Sequence, residues 1–331
     1  TDVIRAVAKV VFDSIYNNSR YRVPKFNGRY TFAFNQTVDN VPFKNNQNSE
    51  IGLRIITPKY VSAEGGADDM TLTMMSARNK EVILKLPIDV VNYYNELLNS
   101  LKIDDYIRNV ADPQKGKSTA IRTMKMQESG QSRDAAVSSL KEAIGSAEVF
   151  INGQKITDIT SHEPITKINS ALERLIDNIY YKLSYIDSPK DDNETRKLFI
   201  KDNQTALSLG EQKAPNSGAI DEMKEHVRLT SSDHTSISMK SLITDFALAP
   251  WGYNDQDVKW LIAKAFMDGE AALYVEKEPV TLFNRTPEDL GNYFTSRKYE
   301  DKLLFKAKQT IDPGQVKICR DIIKQLFNKT E

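Results

Sequence analysis

Residues 236–283 read SISMKSLITDFALAPWGYNDQDVKWLIAKAFMDGEAALYVEKEPVTLF, and the order of elements in this stretch decides the fold of the C-terminal part. Ser236 to Ser238 has room for one short strand. Leu242, Ile243 and Phe246 share one helical face, which Pro250-Trp251-Gly252 interrupts. Asn254 stands where a helix cap belongs. Val258, Leu261, Ile262, Ala265 and Phe266 then recur at helical spacing. Gly269 follows, at the place where a left-handed residue ends a helix. Ala272–Val275 and Val280–Phe283 make a hairpin. Strand, helix, turn, helix, hairpin is the outline of a winged helix, an architecture that by itself names no chemistry.

Upstream, Asp2 to Tyr16 forms an amphipathic helix with Val3, Ile4, Val7, Val10, Val11 and Ile15 on one stripe. Arg29–Phe34 and Ile51–Ile56 read as strands, and Thr71–Met75 with Val82–Leu86 as a hairpin around Ala77-Arg78-Asn79. These compose one small antiparallel sheet. From Asp89 the chain turns helical: Val90, Tyr94, Leu97, Leu98 and Leu101 make an apolar face, and a thinly apolar stretch to Ile144 reads as a solvated helix or arm. Asn152-Gly153 supplies a type I′ hairpin turn. Pro164 opens a helix with near-heptad apolar spacing through Leu183. Asp187 to Asn193 reads as a linker, and Asp312-Pro313 opens a last helix that buries Cys319. The expected class is α+β: residues 1–88 a helix with a small antiparallel sheet, 89–186 a mainly helical middle region with a hairpin, and 194–331 a winged-helix-like part.

The 331 residues carry 45 Lys+Arg against 45 Asp+Glu, so no global field attracts nucleic acid or membrane. Mean hydropathy is −0.48. One cysteine excludes a disulfide framework within the chain and points to a reducing, cytoplasmic setting. No apolar run approaches about 18 residues, so no membrane partner is expected. The chain starts at Thr1 directly in a helix, as a piece of a longer protein would.

Gly116-Lys117-Ser118-Thr119 matches the tail of a phosphate-binding loop, but Ala111 stands at the upstream glycine position and Pro113 removes a backbone donor. His162, His226 and His234 have no metal-ligand spacing, so no cofactor or metal is expected in this chain. Asp191-Asp192 in the linker fits solvation, and Asp255/Asp257 fit a helix start. Within 235–285, five cations (240, 259, 264, 277, 285) meet seven anions (245, 255, 257, 268, 270, 276, 278), a balance of −2. Phosphate contacts dominate nucleic-acid affinity, so this winged helix suits protein contact better than DNA. Trp260, placed opposite the apolar stripe, is the candidate partner-surface residue.

Positive charge gathers elsewhere. Arg20, Arg22, Lys25 and Arg29 are interleaved with Tyr21, Phe26 and Tyr30, as on a stacking surface for single strands or on an ordinary sheet edge with snorkelling cations. Arg297, Lys298, Lys302, Lys306 and Lys308 form a second set of phosphate-contact candidates.

Several stretches, in order, resemble BrxC/PglY-type P-loop proteins of bacteriophage-exclusion (BREX) systems, in the region after their ATPase domain. They are Val11–Ile15, Phe32–Asp39, Gly52–Pro58, Tyr106–Arg108, Ala147–Gly153, Leu175–Ile186, Pro250–Asn254 and Val258–Gly269. The family's nucleotide-binding motif has no counterpart here, so ATP binding belongs to the parent protein. The resemblance implies a non-catalytic scaffold region of a phage-defence ATPase. Its partners would be other defence subunits or a second copy, with DNA a further partner through the basic patches. Two rivals stand beside it: a stand-alone nucleic-acid-binding module, and a nucleotide-hydrolysing enzyme working through Gly116–Thr119.

Overall fold

The structure, a computed structural model, describes residues 2–44, 47–63, 67–109, 116–200, 215–231, 235–308 and 322. It divides into two units, 1–181 and 182–331.

In the first unit α1 (Asp2–Lys9) continues as π-helical turns through Val10–Ile15. β1 (Arg20–Arg22), β2 (Thr31–Val38), β3 (Val41–Pro42) and β4 (Ile51–Ile56) follow. Next come α2 (Pro58–Ala63), α3 (Asp69–Arg78), β5 (Glu81–Lys85), α4 (Asn92–Asn109) and α5 (Gly116–Gly145). β6 (Glu148–Ile151), β7 (Gln154–Ile156) and α6 (Pro164–Ile179) complete it. The sheet runs β1-β2-β4-β5-β6-β7, with β3 paired to β2. β2, β4 and β5 are mutually parallel, and the other pairs are antiparallel.

The α+β class holds, but the sheet is mixed and larger than the small antiparallel one expected. The cause lies in 69–78. Thr71–Met75 does not pair with Val82–Leu86; it lies in α3, which carries the chain from β4 to a parallel β5. Asp68 caps α3 by accepting from the Thr71 N–H at 2.8 Å. Leu72 and Ser76, one turn apart, are its buried face. The Thr-Leu-Thr-Met-Met alternation imitates a strand over too short a window to distinguish the two periods. β4, buried at five of six positions, shows the continuous apolar run of a central parallel strand.

Residues 89–186 are not a region apart, because β6 pairs with β5 and closes the same sheet. Asn152 and Gly153 both have positive φ (46° and 80°), as the β6–β7 turn requires. α4 and α5 pack together through a polar seam. The Ser100 and Ser129 hydroxyls lie 2.8 Å apart, Ser129 donates to Asp104 at 2.8 Å, and Arg133 pairs with Asp104. That seam explains the thin apolar pattern of α5. Its last turns are core nonetheless, with Ala136, Leu140, Ala143 and Ile144 buried completely. Lys167, 5% exposed, extends its ammonium to the carbonyls of Gly145 (2.6 Å) and Ala147 (3.0 Å), capping the end of α5 with positive charge.

The second unit holds α7 (Asp192–Lys197), α8 (Ser217–Thr230), β8 (Ile237–Ser238), α9 (Met239–Ala247) and α10 (Asp255–Met267). β9 (Ala271–Val275), β10 (Glu278–Val280), α11 (Pro287–Thr295) and β11 (Leu303–Ala307) follow. Its antiparallel sheet runs β10-β9-β11-β8. β11 therefore lies between β9 and β8, and α11 is an insertion before it. Gly252, at φ +66°, supplies the left-handed residue in the turn between α9 and α10.

The stretch 187–193 is fixed in place, contrary to its reading as a linker. Asn216, fully buried and left-handed (φ 58°), accepts from the N–H groups of Asp187 (3.0 Å) and Ser188 (2.9 Å). Its Nδ2 donates to the Ser188 carbonyl at 2.9 Å, and its own N–H to the Asp187 carboxylate at 2.9 Å. Asp191 and Glu194 then form a reciprocal capping box on α7. Asn216→Ala strands several buried donors and acceptors and is expected to cost at least about 2 kcal/mol, read as an earlier unfolding transition of the second unit. An unchanged midpoint would show that this knot carries no stability.

Candidate interaction surfaces

A DNA-reading winged helix needs an exposed face on its second helix. α10 lacks one: nine of its thirteen residues are buried. α11 and α7 cover it. Phe294 packs against Phe266 (centroids 6.1 Å) and Phe199 (5.3 Å), and Arg196 donates to the Thr295 hydroxyl at 3.0 Å. Two of the polar residues of α10 are sealed with it. Asp257, 1% exposed, accepts from the Lys190 N–H at 2.6 Å, and Lys259 reaches Glu300 at 2.7 Å. Trp260 is a correction to the expected partner surface. It is 7% exposed beneath the Lys190 ammonium, 5.4 Å from its ring centroid, because α7 occupies the side that a helical wheel leaves open.

Among the described residues of this unit the most exposed large hydrophobic side chain is Phe283, at 99%, beside Leu282 at 40%. Its turn is held by its own polar groups. Asn284 Oδ1 accepts from the Thr281 N–H at 2.8 Å, its Nδ2 donates to the Pro279 carbonyl at 2.9 Å, and the Thr281 hydroxyl accepts from Asn284 N–H at 3.2 Å. Thr281-Leu-Phe-Asn284 is legible as such a turn from Thr and Asn three apart. The hairpin reading absorbed Leu282 and Phe283 into a strand that ends at Val280.

The N-terminal basic residues Arg20, Arg22, Lys25 and Arg29 are exposed on β1 and the turn after it. Their aromatic neighbours are not a stacking surface. Tyr21 and Phe26 are 5% exposed and Tyr30 is fully buried, with Phe26 and Tyr30 packed at 4.6 Å. The second set is dispersed. Lys302 pairs with Glu276 at 2.7 Å, Lys306 lies over Tyr274 and Lys298 over Tyr299, while Arg297 and Lys308 are exposed.

Gly116–Thr119 opens α5, and the described element before it is α4, not the strand a phosphate-binding loop needs. His226 Nε2 lies 3.0 Å from Asp245 Oδ2, with its ring edge-on to Phe246 and Trp251. His162 is exposed. His234, Cys319 and most of the expected last helix lie outside the described residues. Among the described residues, no group of three or more His, Cys, Asp or Glu is placed to hold a metal. Nor is any described helix long and apolar enough to cross a membrane.

A mixed sheet faced by helices, followed by a winged helix whose second helix is enclosed, defines a two-unit α+β protein of winged-helix type. Residues 1–175 match the family model described as BREX ATP-binding protein BrxC 4th domain with six-stranded beta sheet, and 180–309 match the BrxC winged helix-turn-helix domain. The chain belongs to the BrxC family of BREX phage-defence proteins. The six strands of that description correspond in number to the β1-β2-β4-β5-β6-β7 path, with two-residue β3 beside it. No solved structure matches the chain.

Proposed function

We propose that this chain is a non-catalytic interaction region of a phage-defence ATPase, and that its winged helix meets protein, not the DNA major groove. The enclosure of α10 beneath α7 and α11 carries this reading. A helix exposed only at its first turn offers few side chains to base edges. The local charge balance of −2 over 235–285 points the same way, since DNA affinity rests on phosphate neutralisation. Phe283, presented on a turn that its own hydrogen bonds hold, is the contact residue: a pre-ordered aromatic gives a partner pocket its area at little entropic cost. Partners on this reading are other defence subunits, in the cytoplasm.

Phe283→Ser in the full-length protein, co-expressed with the other BREX proteins, is expected to reduce recovery of a co-purifying subunit at least about tenfold, the loss of one buried aromatic anchor. Substituting Gln256, exposed in the first turn of α10, and the half-buried Lys264 by alanine is expected to leave duplex-DNA binding at low salt unchanged. Intact subunit recovery with Phe283→Ser, together with duplex binding that depends on Gln256 and Lys264, would overturn the proposal.

A further inference from the structure

Between β1 and α6 lies a cavity of about 350 Å³ whose walls are almost wholly polar side chains. On one wall Arg20 and Arg22 stand on the same face of β1, since strand residues two apart point the same way. Tyr21 between them faces the core at 5% exposure. Arg20 is held in orientation: its Nε donates to the Thr31 hydroxyl at 3.1 Å and its Nη2 to the Thr31 carbonyl at 3.1 Å. Across the cavity, Thr166 and Ser170 lie one helical turn apart on α6, with Asn169 beside them. The Tyr16 hydroxyl donates to Asn169 Oδ1 at 2.6 Å, which engages the amide oxygen and leaves Nδ2 as the group on offer.

Several of the protein's lysines are held by a carboxylate, and the two arginines of this cavity are not. Lys80, Lys85, Lys155, Lys182 and Lys259 each meet a carboxylate within 3 Å. Among the described residues Arg20 and Arg22 make no ion pair, although Glu173 lines the same cavity. Glu173 lies near the Tyr21 hydroxyl, whose pKa is pushed up by burial first and by that carboxylate next. The N-terminus of α6 adds nothing here, because the Glu163 carboxylate already caps it. The oriented Arg20 guanidinium and the Arg22 guanidinium beside it, with amide and hydroxyl donors opposite, fit a phosphoryl group and an attached polyol, and Glu173 would accept from a ligand hydroxyl. The volume lies at the small end of ligand cavities, roughly 300–1,000 Å³, about the size of one sugar-phosphate unit.

We propose that the cavity between β1 and α6 binds a phosphate ester bearing sugar hydroxyls, as a free nucleotide or as one unit of a nucleic-acid strand. The site is separate from the winged helix, so it stands or falls independently of the protein-contact reading.

The test is titration of the full chain at low salt with adenosine monophosphate and, separately, with a short oligouridylate, each unit of which keeps its 2′-hydroxyl. Arg22→Ala is the informative variant, because Arg22 makes no hydrogen bond that the fold depends on; Arg20→Ala/Arg22→Ala is the stronger one, with thermal unfolding as the check on folding. Each single loss is expected to weaken binding about tenfold and, for the strand, to lower the salt slope by about one. Binding of the mononucleotide in competition with the strand assigns a free nucleotide; binding of the strand alone assigns nucleic acid. Arg297→Ala/Lys298→Ala should leave either result unchanged. Absence of binding by both probes, or equal binding by wild type and a folded Arg20→Ala/Arg22→Ala, overturns the proposal.

Discussion

Glu81→Ala is expected to destabilise the first unit by about 3–5 kcal/mol, because it leaves the Arg54 guanidinium charged and unpaired inside the sheet. Arg54 on β4 and Glu81 on the neighbouring parallel strand β5 meet at 2.8 Å, with side-chain exposures of 14% and 8%. The pair is supported on both sides. Arg54 also donates to the backbone carbonyl of Asp39, and the Asn79 amide donates to Glu81 Oε1 at 3.1 Å. Gly52 makes room for Glu81: a Cβ there would lie 3.2 Å from Glu81 Cβ. The measurement is denaturant unfolding with a probe in the first unit. Replacing both partners, as Arg54→Met with Glu81→Leu, removes the desolvated charges together and is expected to bring stability back near wild type. A single variant that costs no more than a surface ion pair, about 0–1 kcal/mol, would show that water reaches this pair.

That ion pair marks a limit of what the sequence discloses. Arg54 interrupts an apolar run and Glu81 opens another, and in each strand a charge reads as an edge or an outward face. Their pairing depends on β4 and β5 being parallel neighbours, which follows only once 69–78 is a helix. The winged helix was legible in its order because each element there carries its own punctuation: Pro250, Gly252, Gly269 and the Thr286 cap. What covers it was not legible. α7 and α11 are short helices, joined over α10 by contacts about a hundred residues apart, such as Arg196 with Thr295. Trp260 was consequently assigned to the surface, where a helical wheel puts it, while Phe283 was assigned to a strand. The basic residues Arg20 and Arg22 were legible as charge. The orientation of Arg20 by Thr31 and the donors facing both from α6 come from tertiary packing alone.

Two glycines on α5 are expected to respond with opposite signs to the same substitution. Alanine is the better helix former by about 0.8–1 kcal/mol in a helix interior, and by that preference alone both changes would stabilise. At Gly130 a Cβ meets nothing within 4 Å, so Gly130→Ala is expected to gain roughly 0.5–1 kcal/mol. At Gly145 the Cβ would stand 2.2 Å from the carbonyl oxygen of His162 and 3.1 Å from its carbon. A backbone atom cannot rotate away as a side chain can, so α5 and the segment leading into α6 must separate. The carbonyl of Gly145 is the one that the buried Lys167 ammonium holds at 2.6 Å, so the same displacement pulls a desolvated charge from its acceptor. Overpacking of this kind costs about 1–3 kcal/mol, and a charged hydrogen bond disturbed in the interior about 1.5–3 more, against which the helix preference is small. Gly145→Ala should therefore unfold several degrees below wild type and Gly130→Ala slightly above it in the same thermal scan. If the two move together, the close approach at His162 yields without cost and the end of α5 is not a fixed point of the first unit.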